Sequence, residues 1–403
     1  MDMVLRKYYL DQIVPFIDKD LIKVLTGIRR SGKTILLSQI RDLIKERGIS
    51  DENIIEINFE SWKYKKLQNA DGLYNYIAEY AKNADGKMYL FLDEIQRVEN
   101  WHTVIPSFRV DFNCDIYITG SNSKMFSGEF ATYMAGRYVS FNIYPFMLSE
   151  IRDFYEANNI PYTKEQIFAE YLEYGGLPMR LMLQRGQSVR TYLEDVYDSI
   201  VIKDILSRYS IRNENLLRKL LEFLLDNIGN PFSARSVCRS LLSDGQKTTV
   251  ETVLNYIDKL QAGMIISKSE RYDIKGKNIL ASTEKYYAGD IGLRNISKSS
   301  EQTDSSKLFE NIVYLEMSGR GYNVKVGKLG SLEIDFVCYK GKKRIYIQVA
   351  YLITEECIER EFGNLEKIND NYPKYVISND TVDLSRNGII HYNIIDFLLG
   401  DKF

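Results

Sequence analysis

From residue 21 to about residue 145, short apolar runs alternate with stretches whose apolar residues recur at helical spacing. The runs at 21–25, 54–59, 88–92, 115–119 and 138–143 have the length and content of buried strands. The intervening segments are long enough for the crossovers that parallel neighbours need, so the pattern predicts a doubly wound α/β sheet. From about 148 to 211 the pattern turns mostly helical. It is interrupted at Gly175, Gly176, Leu177 and Pro178, which cannot continue a helix.

The rhythm changes again at 212–296. A helix over 216–227 precedes Pro231, Ser233 caps a second helix ending near 242, and Thr248 or Thr249 caps a third. Two β-like runs, 264–268 and 285–288, follow, joined by the polar segment 270–277. Three helices and a two-stranded ribbon are the order of a winged helix-turn-helix. Residues 297–306 contain no apolar side chain and read as a linker. The last hundred residues predict a helix over 307–320, strands at 322–326, 332–339 and 344–351, a helix over 354–369 and a strand at 374–378. The expected divisions are therefore 1–147, a helical lid at 148–211, the winged segment at 212–296, the linker at 297–306 and a C-terminal α/β domain at 307–403.

Composition narrows the class without naming it. With 403 residues, 45% of them hydrophobic and 27% charged, the chain reads as a globular protein of two or three domains. A net charge of -2 gives no global attraction to nucleic acid, so such binding requires a local patch. Cys114, Cys238, Cys338 and Cys357 are widely spaced, which argues against disulfides and zinc fingers and for a reducing cytoplasm. His102 and His391 are the only histidines, too few for histidine-based metal or triad chemistry. The N-terminus lacks a signal-peptide pattern, no membrane-spanning stretch occurs, and a cytoplasmic location is expected. The 30 tyrosines accompany abundant Ile, Lys and Asn, a compositional bias and not a tyrosine-specific function.

Chemistry enters at Gly27, Ile28, Arg29, Arg30, Ser31, Gly32, Lys33 and Thr34, a complete G-x-x-x-x-G-K-T phosphate loop between a predicted strand and a helix. Backbone N–H groups of such a loop and the helix dipole face phosphate oxygens. Lys33 is expected at the β/γ-phosphates of ATP, Thr34 on Mg²⁺, and Arg30 and Ser31 among the phosphate contacts. The run 89–92 delivers Asp93 and Glu94 to the C-terminal edge of a strand, where open parallel sheets bind ligands. Asp93 is expected to hold Mg²⁺ through water and Glu94 to act as general base. The run 115–119 ends similarly at Ser121 and Asn122, expected near the γ-phosphate. Arg137 reads either as an arginine finger, from the same or a neighbouring subunit of a homo-oligomer, or as a surface ion-pair residue.

Together with residues 90–96, 118–122, 136–138 and 174–178, this loop resembles the prokaryotic, archaeal-type AAA-like P-loop ATPases that carry a C-terminal domain related to restriction-endonuclease folds. The resemblance covers nearly the whole chain and implies ATP hydrolysis more firmly than a biological role. It also implies a PD-(D/E)xK-like tail: Glu310 on a helix, Asp335 on a strand and Gln348 on the next, grouped around a metal ion. The pattern departs at Ala350, which stands where an activating lysine belongs. Lys342 and Lys343 lie nearby, without support from periodicity. Three readings stay open: an inactive fold kept for DNA or protein contact, an altered Mg²⁺ nuclease, and a purely structural domain.

Residues 201–297 hold 15 Lys plus Arg against 11 Asp plus Glu, and the wing candidate at 268–277 is basic. The third helix offers Thr248, Thr249, Glu251, Asn255 and Lys259, a polar face without a basic cluster. The expectation is a Mg²⁺-dependent ATPase contacting DNA through its winged and C-terminal modules; the alternative is a nucleotide-dependent switch or scaffold for a protein partner.

Overall fold

The computed structural model describes residues 3–122, 134, 136–297 and 304–400, with the side chains of 281–283 excepted. The chain divides into two compact units, Val4–Ile143 and, with the first three residues, Tyr144–Phe403.

The first unit is built on five parallel strands: β1 (Ile22–Thr26), β2 (Ile54–Asn58), β3 (Met88–Asp93), β4 (Cys114–Gly120) and β5 (Tyr138–Asn142). Their order is β2-β3-β4-β1-β5, every pair parallel. Helices cover both faces, as the crossover lengths require. α1 (Lys7–Ile13) and α2 (Lys33–Glu46) bury Tyr9, Leu10, Ile13, Leu36, Leu37, Ile40 and Ile44 against one face. α3 (Ala70–Ala81) and α4 (Trp101–Asp111) bury Leu73, Ile77, Val104, Ile105 and Phe108 against the other. Because both faces are covered, β3 is buried along its whole length and shows no alternation. All five strands predicted from the apolar runs are present within a residue or two.

The second unit begins with helices Leu148–Ala157, Lys164–Tyr174 and Gln187–Ser199, the last continuing as a π-helix through Ser207. The break at Gly175 and Gly176 is a backbone clasp. Asp290 is buried, and its Oδ2 accepts from Gly176 N at 2.8 Å. A Cβ on Gly176 would strike the Phe146 carbonyl, and Gly175 has φ +69° with Asp290 filling the space a side chain would need. The two glycines of the 174–178 run are thus explained by close backbone approach.

Helices Glu214–Asp226, Ala234–Ser243 and Val250–Ala262 follow, the last two capped by Ser233 and Thr249 as expected. The ribbon differs from the sequence reading. β6 (Ile266–Asp273) and β7 (Asn278–Ala288) extend through most of the wing candidate at 268–277. They join β8 (Asn323–Leu329), β9 (Leu332–Lys340), β10 (Lys343–Val349), β11 (Lys374–Ser378) and β12 (Ile390–Asn393) in one mixed sheet of order β12-β11-β10-β9-β8-β6-β7. β6 is interior, paired with β7 and β8, and Arg271 is in an ion pair with Glu333. Only Lys268, Lys275 and Lys277 of the expected wing cations are exposed. Of the expected linker, 298–303 lies outside the described residues, while Asp304 caps the helix Ser305–Gly319. The long helix expected at 354–369 is two short ones, Ile358–Glu361 and Gly363–Glu366. α1, β12 and the helix Ile394–Leu399 were not foreseen.

Candidate functional site

The C-terminal edge of the first sheet gathers the phosphate loop, Asn58, Asp93, Glu94, Ser121 and Asn122. Gly27 follows β1 where the chain passes under Ile143, whose carbonyl occupies the position a Cβ would take. Gly32 has φ +94° and starts α2, so both motif glycines answer to a steric demand. Arg30 also adopts a left-handed conformation, at φ +67°, and is exposed. Lys33 is buried, its ammonium donating to Gly27 O at 2.9 Å and Ile28 O at 3.0 Å. Ser31 Oγ is buried without a hydrogen-bond partner, beside Gly27. A buried hydroxyl, a buried ammonium and the N-terminus of α2 form a donor set that suits phosphate.

Asp93 is the hub of the carboxylate side. Its Oδ2 accepts from Thr34 Oγ1 at 2.9 Å and from Asn58 Nδ2 at 3.0 Å, and its Oδ1 from Thr119 Oγ1 at 2.5 Å. Burial pushes its pKa up, against the hydrogen bonds of Thr119 and Thr34 and the charge of Lys33. A divalent cation would reverse that upward push, and the Thr34 hydroxyl beside the Asp93 carboxylate is an oxygen pair fit for Mg²⁺. Glu94 sits in a left-handed conformation at φ 57°, its N–H donating to Thr119 Oγ1 at 2.9 Å and its carboxylate accepting from Gln96. Burial raises its pKa as well, opposed first by Lys33, and so makes it a stronger base once ionised. Ser121 and Asn122 are buried just beyond β4, the strand that pairs with β3.

Two residues of this network escaped the sequence reading. Thr119 ends one apolar run and Asn58 lies inside another, and only strand order puts them next to Asp93. Arg137 is placed differently from the cis expectation. It is exposed before β5, its carbonyl accepting from Ile22 N at the start of β1. Five or six strand residues separate that edge from the loop, roughly 15–20 Å. The geometry therefore does not bring Arg137 to the nucleotide of its own chain.

The tail residues do converge, but around an ammonium. Glu310 and Gln348 are buried and Asp335 is partly so. Gln348 Oε1 accepts from Asp335 N at 2.7 Å, its Nε2 donates to Glu361 at 2.9 Å, and Asp335 Oδ2 accepts from Val349 N at 2.9 Å. Lys285, from β7, sends Nζ to Glu310 Oε1 at 2.9 Å and Glu333 Oε1 at 2.7 Å, while Tyr287 donates to the same Glu310 oxygen at 2.7 Å. Burial alone would lower the Lys285 pKa, but Glu310, Asp335 and Glu333 outweigh it and raise it. Among the described residues no group of three His, Cys, Asp or Glu is placed to hold a metal ion. The structure thus brings the expected metal trio of Glu310, Asp335 and Gln348 together with Lys285 paired to Glu310 and both polar ends of the Gln348 amide hydrogen-bonded. No spacing rule links Lys285 to a triplet more than sixty residues later, so only the fold reveals it.

No helix among the described residues is long and apolar enough to cross a membrane. Residues 19–152 match the family model of an AAA domain, and residues 165–304 that of a domain of unknown function. An uncharacterized protein of Haemophilus influenzae is 38% identical over 401 residues, 98% of this chain and 99% of that one. One of Methanocaldococcus jannaschii is 30% identical over 357 residues, 86% of this chain and 78% of that protein. The Walker-type ATPase of Pyrococcus abyssi shares the fold, with a TM-score of 0.51 at 14% identity over 73% of this chain and 96% of that one. The phosphate loop, the Asp93 hub and these matches agree: residues 19–152 are an AAA domain on a P-loop fold, and the chain belongs to one family with the Haemophilus and Methanocaldococcus proteins.

Proposed function

We propose that the protein hydrolyses ATP with Mg²⁺ and uses the nucleotide cycle to alter contacts of its second unit with DNA. The observation carrying the first half is the single network of Thr34, Asn58, Thr119 and Asp93 beside the buried Lys33. Lys33 and the loop N–H groups bind the β/γ-phosphates, Thr34 and Asp93 hold Mg²⁺, Glu94 orients and deprotonates water, and Ser121 and Asn122 face the γ-phosphate. Magnesium supplies charge neutralisation at the transferring phosphoryl group. The DNA half rests on the local excess of basic residues and on exposed Lys268, Lys275 and Lys277. It assigns no step of DNA cleavage to the tail, where Ala350 stands in the place of an activating lysine and Lys285 is paired with Glu310 and Glu333.

The opposing reading, a switch acting on a protein partner, is favoured by Lys259, whose ammonium sits over the Tyr209 ring at 4.6 Å and leaves the third helix without a projecting cation. ATP turnover measured with and without DNA separates the two. Stimulation by DNA supports the proposal; turnover indifferent to DNA supports the switch.

A further inference from the structure

Directly after β2 the chain forms a short 3₁₀ helix, Trp62–Leu67, whose two faces differ sharply. Tyr64 and Leu67 pack into the core beneath, and Gln68 Nε2 donates to Phe59 O at 2.7 Å, so the segment is fastened from within. The other face carries Trp62, Lys63, Lys65 and Lys66, all exposed, with Trp62 at 78%. Lys65 Nζ stands 3.8 Å from the Trp62 ring centroid. Residues 61–69 contain no Asp or Glu, and none of the three ammonium groups is in an ion pair among the described residues. A water-exposed indole with Lys65 at its ring and Lys63 and Lys66 on the same short helix suits a ligand that is both planar and anionic.

We infer that this segment binds single-stranded nucleic acid, a base stacking on Trp62 while Lys63, Lys65 and Lys66 pair with flanking phosphates. Stacking needs an unpaired base, which favours a single strand over a duplex. One indole among three lysines offers too little apolar area to insert into a bilayer.

The surface is wired to the nucleotide site. Asn58 donates to Asp93 at 3.0 Å and accepts from Glu60 N at 2.8 Å, Ser61 N donates to Asn58 O at 3.0 Å, and Phe59 N donates to Asp93 O at 3.1 Å. Glu60 pairs with Arg97 at 2.9 Å and lies 3.8 Å from Arg29 of the phosphate loop. A ligand that draws on Asp93 competes for the Asn58 amide and so shifts the backbone leading into Trp62. This linkage, unlike the binding itself, rests on the proposed ATP site.

The test is fluorescence anisotropy of labelled 30-nucleotide oligothymidylate and oligouridylate with the full chain, with and without Mg²⁺ and a non-hydrolysable ATP analogue. Wild type is expected to bind both single strands, with Trp emission quenched and affinity falling steeply with salt. Trp62→Ala is expected to weaken binding about tenfold, and the combined Lys63→Glu, Lys65→Glu and Lys66→Glu change to abolish it; an unshifted melting temperature shows that both variants fold. Equal binding by wild type and Trp62→Ala overturns the inference while leaving DNA contact by the second unit intact. No binding of either oligonucleotide also overturns it, and ATP turnover in the same samples reports separately on the ATPase reading. Affinity unchanged by the analogue overturns the linkage to Asn58.

Discussion

Replacing Lys285 by Met tests whether the tail cluster is held together by an internal cation. Met keeps most of the side-chain volume, so the change is electrostatic. Lys285 is fully buried between Glu310 and Glu333. Burial works to raise the Glu310 pKa, yet Lys285 and Lys307 together hold it below the ordinary carboxylate value. Removing one partner of a buried pair costs about 3–5 kcal/mol, because the remaining charge is stranded. Lys307 at 2.9 Å and Tyr287 at 2.7 Å stay with Glu310, and Glu333, at 36% side-chain exposure, regains water. The lower end of that range, about 3 kcal/mol, is therefore expected. For a unit of this size that corresponds to a fall of roughly 6–12 °C in the melting transition, read by calorimetry of the full chain. Adding Glu310→Gln to Lys285→Met should restore a substantial part of the loss, since the stranded charge is gone. A single variant melting within a degree of wild type, or a double variant no more stable than the single, would refute the argument.

Burial first, and Glu310 second, push the Asp335 pKa up to about 7. The folded chain thus keeps a proton that the unfolded chain releases near pH ~3.9, so this contribution to stability is full below that pH and is lost as pH rises to about 7. Asp335→Asn should remove the loss and gain on the order of 2 kcal/mol over wild type at pH ~8, discounted for partial exposure; denaturant midpoints across pH check it, and parallel curves would contradict it. Gly176→Ala drives a Cβ into the Phe146 carbonyl and should cost at least about 2 kcal/mol, visible in the melting transition of the second unit. Arg137→Ala should leave turnover of the dilute monomer within about twofold, because Arg137 lies on the far edge of its own sheet. A tenfold loss under those conditions would contradict that placement.

The first unit was legible because the strands of a doubly wound sheet are short and mostly apolar, and β3, apolar up to its last residue, delivers Asp93 at its end. The phosphate loop was equally plain, its glycines being forced by Ile143 and by the turn into α2. What stayed hidden depends on which strands become neighbours. Asn58 and Thr119 reach Asp93 only through the order β2-β3-β4. The ribbon read as a free wing, since its polar middle gives no sign that β8 pairs with Arg271 and Tyr272. Lys285 reaches the tail cluster by that same pairing, a long-range contact that no local pattern encodes.

Glu94→Gln bears most directly on the claim that this edge of the sheet hydrolyses ATP. The substitution keeps size and hydrogen bonding at a half-buried position with left-handed backbone, while removing the base. Nucleotide affinity, read by fluorescent ATP binding, should stay within about threefold, and phosphate release with Mg²⁺ should fall by about a hundredfold or more. Hydrolysis by Glu94→Gln at the wild-type rate would contradict the assignment.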